Sequence, residues 1–268
     1  MGWRNRIVLL LVGAVLSACG SSAQSSMPVA INACRLSTRG AQLVNEAGAA
    51  LILRGPDLPS ILGMERAGQS PDRVLEDAVR AGAGVVRVAV VDAEFTPTYV
   101  PLKLLPLAKK ADALGIVLIL SWRNDPSAKL DKQADDAEDF LRLAVPALRA
   151  YDGVWIDPFH DELTAPDARR RAVAVRMIDI VRGLGDDRIM VINNAEWLLA
   201  SDADTRARAP HSNVLYGVRS LQNWNRDDVP LFYLGDDAAP AAVVQLTGGG
   251  DPEGAAVLQH WPVSGRCK

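Results

Sequence analysis

Apolar runs alternate with helical patterns over about 235 residues, which predicts an α/β protein, a (β/α)8 TIM barrel with its last helix missing or reduced. Two further observations agree. The strand-like runs are short and nearly continuous, the pattern of strands buried on both faces. Two of them also run straight into carboxylates: Val154-Trp155-Ile156-Asp157-Pro158-Phe159-His160-Asp161-Glu162 and Pro230-Leu231-Phe232-Tyr233-Leu234-Gly235-Asp236-Asp237. In a parallel barrel the C-terminal strand ends converge on one open face, where catalytic groups collect. The alternative is that these aspartates cap the helices that follow.

The elements follow in order. Leu51-Ile52-Leu53 is the first strand, followed by a long loop. Ser70 as N-cap and Pro71 in the first turn open a helix that stops near Gly82. Val85–Val91 is the second strand. A Pro-broken stretch and Leu102–Leu114 make the next helix, ended by Gly115, and Ile116–Leu120 is the third strand. Asp131–Ala150 is a helix with an acidic face, Val154–Phe159 the fourth strand, and Pro166–Leu184 a helix with an apolar stripe through Val173, Met177, Ile178 and Val181. Ile189–Ile192, Val214–Val218 and Leu231–Leu234 are strands five to seven. A parallel crossover takes at least ~10 residues, so Ala238–Thr247 reads as the seventh helix and Ala256–Trp261 as the eighth strand. There is no internal repeat.

Before the barrel lies an export signal. Arg4 and Arg6 form a positive start, Ile7 to Leu16 an apolar stretch too short to span a bilayer, and small residues follow. Leu16-Ser17-Ala18-Cys19 resembles a bacterial lipobox, which implies cleavage after residue 18 and lipid on Cys19; Gly20 after the cysteine is similar to the form sent to the outer membrane. Residues 19–33 read as a lipidated cysteine with a Ser/Ala-rich tether, and residues 34–268 as the barrel. Loss of the signal removes Arg4 and Arg6 and no acid, moving the formal net charge from −3 to −5. A mildly acidic chain without a long basic run is a poor nucleic-acid binder. Cys34 and Cys267 then remain, one at each end of the folded part, and in an oxidising compartment they are expected to pair; two free thiols are the alternative. Histidines occur only at 160, 211 and 260, so no metal and no cofactor is expected.

With these elements in place the chain resembles glycoside hydrolase family 5, the cellulase-type barrels. The likeness rests on Leu53-Arg54-Gly55-Pro56-Asp57, Val86-Arg87-Val88-Ala89-Val90, Ile189-Met190-Val191-Ile192 leading to Trp197, and Gln259-His260-Trp261. The resemblance implies that Glu162 is the general acid/base, that Asp236 occupies the nucleophile's place, and that Arg87 supports the nucleophile. It also puts Asp161 where an asparagine normally precedes the acid, and Trp261 beneath the sugar. The chain departs from the family's pattern in several places. The family's nucleophile is a glutamate, one methylene longer than Asp236. Two usual histidines appear as Trp122 and Arg219, and two usual asparagines as Asp57 and Asp161.

Trp122, Trp197, Trp224 and Trp261 lie at or just beyond expected strand ends, where flat rings suit the apolar faces of sugars; each is equally a packing anchor. Trp155, inside its strand, reads as core. Two functions follow. One is an envelope-anchored hydrolase of a β-linked polysaccharide using a two-carboxylate retaining mechanism. The other is a degenerate barrel that binds glycan or an envelope partner without cleaving it. A metal-dependent amidohydrolase would need clustered histidines, which the sequence lacks.

Overall fold

The computed structural model describes residues 35–160, 165–193, 195–200, 204, 207–218, 230–234 and 242–247. Cys19, Cys34, Asp161, Glu162, Trp224, Asp236, Trp261 and Cys267 lie outside these residues.

The chain enters through a small antiparallel sheet of β1 (Ser37–Arg39), β2 (Gln42–Val44) and β3 (Ala50–Leu51). Its apolar face, with Leu43 and Leu51 beside Leu36, packs against Val85, Val117 and Ile189, at or just before the starts of barrel strands. The sheet is therefore a floor for the barrel. Asn213 fastens it from below: its Oδ1 accepts from the Thr38 N–H at 3.0 Å and its own N–H donates to Thr38 Oγ1 at 3.1 Å. Asn213 has φ 56°, a left-handed conformation that asparagine tolerates better than most residues.

Eight parallel strands then close into a ring: β4 (Leu53–Leu58), β5 (Val85–Val91), β6 (Val117–Arg123), β7 (Val154–Asp157), β8 (Met190–Ile192), β9 (Val214–Val218), β10 (Leu231–Leu234) and β11 (Ala242–Thr247). Helices α1 (Ile61–Arg66) and α2 (Pro71–Arg80) follow β4, α3 (Leu105–Leu114) follows β5, α4 (Leu130–Ala147) follows β6 and α5 (Asp167–Gly183) follows β7. Gly115 ends α3 at φ 66°, a left-handed cap suited to glycine. The stretch expected as a loop after Leu53 instead continues as β4 to Leu58 and then forms α1, opened by Ser60, whose hydroxyl accepts from the Gly63 N–H at 3.0 Å. No helix among the described residues is long and apolar enough to cross a membrane.

The seventh and eighth units differ from the sequence expectation. Ala242–Thr247, read as helix, is the eighth strand, paired in parallel with β10 on one side and β4 on the other. The residues expected as the eighth strand, 256–261, lie outside the described residues, and the end of the eighth strand is Thr247 rather than Trp261. Only residues 235–241 separate β10 from β11, fewer than an ordinary crossover takes. Pairing on both edges of Ala-Val-Val-Gln-Leu-Thr, rich in β-branched residues, outweighs that length rule.

Alternation along the strands divides the core in two. Leu53, Val85, Val117, Ile119, Trp155, Val191, Leu215, Phe232, Val244 and Leu246 fill the lumen. Val86, Val88, Leu118, Leu120, Ile156 and Met190 turn outward under Leu107, Phe140, Met177 and Val181 of the helices. Gly55 is required where β4 meets β5, since a Cβ there would stand 1.6 Å from the Val85 carbonyl oxygen.

Candidate active site

The upper lumen changes character from apolar to charged. Arg87 lies two residues along β5 from Val85, on the same inward face, and it is wholly buried. In register it stands beside Asp57 of β4 and Ile119 of β6. Asp157 is one inward step above Trp155 on β7 and beside Ser121 of β6. A charge buried this far from water needs partners, and Arg87 has them. Its Nε and Nη2 donate to Asp157 Oδ2 at 3.1 and 2.7 Å, its Nη1 to Asp57 Oδ2 at 3.1 Å, and Nη2 also to the His160 carbonyl at 3.0 Å. Across the ring its guanidinium carbon lies 6.0 Å from the centre of the Phe232 ring.

A directed chain of hydrogen bonds continues from Asp157. Arginine can only donate, so Arg123 Nη2, 2.5 Å from His160 Nε2, makes that nitrogen the acceptor. His160 then carries its proton on Nδ1 and donates to Ser121 Oγ at 3.1 Å; Ser121 in turn donates to Asp157 Oδ2 at 2.7 Å. Ser121 is thereby occupied between a donor and a buried carboxylate, an arrangement that keeps the hydroxyl's proton in place and does not make a nucleophile of it.

The same groups pin the chain just before Asp161 and Glu162. The His160 N–H donates to the Trp122 carbonyl at 2.8 Å, and its carbonyl accepts from both Arg87 Nη2 and Asn193 Nδ2, the latter at 3.2 Å. Asn193 reaches it because Gly217 on β9 has no side chain: a Cβ there would stand 2.6 Å from Asn193 Oδ1 and 3.0 Å from Phe232.

Burial pushes the Asp57 carboxyl above its ordinary pKa; Arg87 draws it down, the neighbouring Asp157 pushes it up, and Arg123 draws it down more weakly. Burial also raises Asp157, opposed by Arg87, Ser121 and the Phe159 N–H. Among the described residues no group of three or more His, Cys, Asp or Glu side chains is arranged to hold a metal ion.

Of the residues singled out from sequence, Arg87 lies buried in the upper lumen, below the mouth, and its described partners include Asp57, Asp157 and His160. Glu162, Asp236, Asp161, Trp224 and Trp261 fall outside the described residues. Trp122 does not face the mouth. With Ile119 and Ser121 turned inward, the next residue of β6 points outward, where Trp122 is 1% exposed and stacks on Phe140 of α4 at 5.0 Å and 15°. Its Nε1 donates to Asn124 Oδ1 at 2.9 Å. Trp197 is likewise buried in the layer outside the barrel, on the 3-10 turn Glu196–Leu199 after β8. Both rings are packing anchors. Sequence reasoning passed over Asp157, Ser121 and Asn193 as site residues. The available signal was an arginine inside the apolar run Val85–Val91 and an aspartate closing the run Val154–Asp157, opposite charges that burial obliges to meet.

No family model and no curated protein sequence matches the chain. Solved structures do. The catalytic domain of a mannanase from Streptomyces sp. SirexAA-E matches with a TM-score of 0.62 at 16% identity, over 82% of this chain and 83% of that one. A cellulase, Cel5C_n, matches at 0.67 and 17% identity over 83% of each chain. A β-mannanase from Thermomonospora fusca matches at 0.63 and 15% identity, over 84% of this chain and 88% of that one. The barrel thus has the fold of these polysaccharide hydrolases.

Proposed function

We propose that the protein is a glycoside hydrolase of a β-linked polysaccharide, held at the bacterial cell envelope by an N-terminal lipid. Glu162 serves as general acid/base and Asp236 as nucleophile of a retaining mechanism. The observation that carries this reading is the charged upper lumen built on Arg87, Asp57 and Asp157, directly beneath the strand ends that lead to the two carboxylate segments. β7 and β10 stand three places apart around the ring of eight, on opposite sides of the mouth. Mannanases and cellulases share the barrel, and complexes of such neighbours with mannohexaose and cellotetraose make those oligosaccharides the natural probes. The pinned His160 backbone gives the following acid a fixed starting point, and a misplacement on the order of 1 Å costs ~100-fold in rate.

Hydrolysis of β-mannan and β-glucan by wild type, Glu162→Gln and Asp236→Asn tests the reading. Wild type should release product with retained anomeric configuration, and each variant should be inactive yet folded. Undiminished hydrolysis in either variant refutes the assignment. A second reading, glycan binding without cleavage, is favoured by the sequence itself, where Asp236 is one methylene shorter than the glutamate that the resemblance puts in that place. Asp236→Glu separates the two. A large gain in rate identifies a weakened enzyme, whereas binding without hydrolysis in both wild type and Asp236→Glu identifies a lectin-like barrel.

The anchoring rests on Leu16-Ser17-Ala18-Cys19, with the outer membrane as its destination, and Cys34 is taken to pair with Cys267. Mass spectrometry of the mature N-terminal peptide should find lipid on Cys19, and a non-reducing digest should link the other two cysteines. An unmodified Cys19 refutes the anchor, and unlinked peptides refute the pairing.

A further inference from the structure

We propose that Arg123 is a positioning residue of the site: it locks His160 as the neutral tautomer protonated on Nδ1, and through that ring it orients the chain that leads to Glu162. The role of Glu162 rests on the glycosidase reading above; the state of the ring does not.

The argument begins with how completely His160 is held. It follows β7 and belongs to no helix or strand, yet it is 5% exposed and each of its polar groups is engaged. Its N–H donates to the Trp122 carbonyl at 2.8 Å, and its carbonyl accepts from Arg87 Nη2 and Asn193 Nδ2 at 3.0 and 3.2 Å. Ring Nδ1 lies 3.1 Å from Ser121 Oγ, and ring Nε2 lies 2.5 Å from Arg123 Nη2. One residue earlier, Phe159 is sunk in the outer core and gives its N–H to Asp157 Oδ1 at 3.1 Å. The backbone bonds determine where residue 160 stands, and the two ring bonds determine how it is turned. Glu162 comes two residues later.

One arrangement of protons satisfies the ring. A guanidinium donates and never accepts, so Nε2 is bare and the single proton of a neutral imidazole sits on Nδ1. Ser121 accepts that proton's bond and is left to donate to Asp157 Oδ2 at 2.7 Å. The described charged groups around this chain are Arg123 from β6, Arg87 from β5 and Asp157 from β7. A doubly protonated ring would set its Nε2–H against an N–H of Arg123. Moving the single proton to Nε2 brings the same clash and also turns Ser121 round. Its hydroxyl would then donate to Nδ1, and Asp157 would lose a donor.

Arg123 decides between these forms because it has no alternative role. A hydroxyl can accept from Nδ1 or donate to it, whereas Arg123 meets only a bare Nε2. Its place follows from the alternation of β6: Val117 and Ile119 face the lumen, so Ser121 and then Arg123 stand above them on the same face. Arg123 ends the strand and is partly exposed, so replacing it leaves the packed core intact.

The test uses the full mature chain. Long-range 1H–15N NMR of the histidine rings, with His160→Gln to identify the resonances, should show at neutral pH a proton on His160 Nδ1 and none on Nε2. A proton on Nε2, or on both nitrogens, overturns the proposal. Arg123→Met should let a form protonated on Nε2 appear, and Arg123→Lys, which keeps a cationic donor, should restore the wild-type ring. An unchanged ring in Arg123→Met would make Ser121 and Asp157 the groups that set the tautomer, and overturns the proposal as well. Hydrolysis reports the positioning. Arg123→Met should lower kcat by about 10- to 100-fold with little change in KM, as a displaced acid does, and Arg123→Lys should recover most of the loss. An unchanged kcat, or a loss confined to KM, overturns the positioning role. If wild type hydrolyses neither β-mannan nor β-glucan, the glycosidase reading and the positioning of Glu162 fall together, and the ring spectra still rule separately on the lock.

Discussion

Replacing Arg87 with methionine should produce a stability loss that depends on pH in a prescribed way. The side chain is wholly buried and directs hydrogen bonds to two carboxylates and one carbonyl. Methionine fills much of the volume but leaves Asp157 fully buried with Ser121 and the Phe159 N–H as its described donors. Removing one partner of a buried ion pair costs ~3–5 kcal/mol, and it pushes the remaining carboxyl further above its ordinary pKa. A carboxyl whose folded pKa exceeds its unfolded value of ~3.9 adds no penalty below that value. Above it the penalty grows with pH until the folded pKa is reached. The deficit of Arg87→Met should therefore be largest near pH ~7 and should shrink towards pH ~4. Urea unfolding followed by tryptophan fluorescence, with Trp155 in the lumen as a reporter, measures it at both ends. Arg87→Met/Asp157→Leu, which removes the stranded charge, should recover part of the loss. A deficit below ~1 kcal/mol at neutral pH, or one equal at both ends, would refute the assignment of Asp157 as an ionised buried partner.

Trp122→Ala should cost ~3–5 kcal/mol by opening a cavity against Phe140 and Phe95, with Trp122→Phe costing clearly less; an unchanged urea midpoint in Trp122→Ala would contradict its place in the core. Gly55→Ala should fail to give soluble folded protein, because the added carbon meets backbone that cannot move aside; a native circular-dichroism melt would show that β4 and β5 lie farther apart. On the proposed glycosidase reading, Gly217→Ala, pressing on Asn193 and Phe232, should lower hydrolysis more than it lowers the melting temperature; equal hydrolysis would mean that the Asn193 bond to His160 does not serve the proposed acid.

Strands β5 to β8 were readable because each is a compact apolar run with glycine, proline or a capped helix beside it. By contrast β4, Leu-Arg-Gly-Pro-Asp-Leu, is no such run, and the strand expected at Leu51–Leu53 falls across the end of β3 and the start of β4. Which face of an apolar strand looks inward was not readable. Val-Leu-Ile-Leu-Ser-Trp-Arg has no clean polar alternation, since both of its faces are buried, and the ring of Trp122 was assigned to the wrong side. Ser121 was the only polar marker of the inner face before the rim. The eighth strand was misread for a different reason. A rule about connection length concerns the chain between two strands, whereas the pairing that fixes β11 is made with β4, at the far end of the sequence. The hold on His160 was illegible for the same kind of reason: it joins Arg87, Trp122 and Asn193, three residues that only the ring's register brings together. The charges of Arg87 and Asp157 were in plain view, and the physical demand that buried opposite charges meet predicts their pairing.

The three-strand floor has a consequence for how the molecule is held. Leu36, Leu43 and Leu51 seal one end of the barrel, and Arg35 is fastened there by its bond to Asp187, just ahead of β8. Anything attached upstream of Arg35 therefore pulls on the sealed end. A protein tethered in that way would hang from its base like a cup on a short cord, with the opening turned away from the surface that holds it. A long polymer could then be met side-on from the surrounding space, without having to thread between the protein and its support.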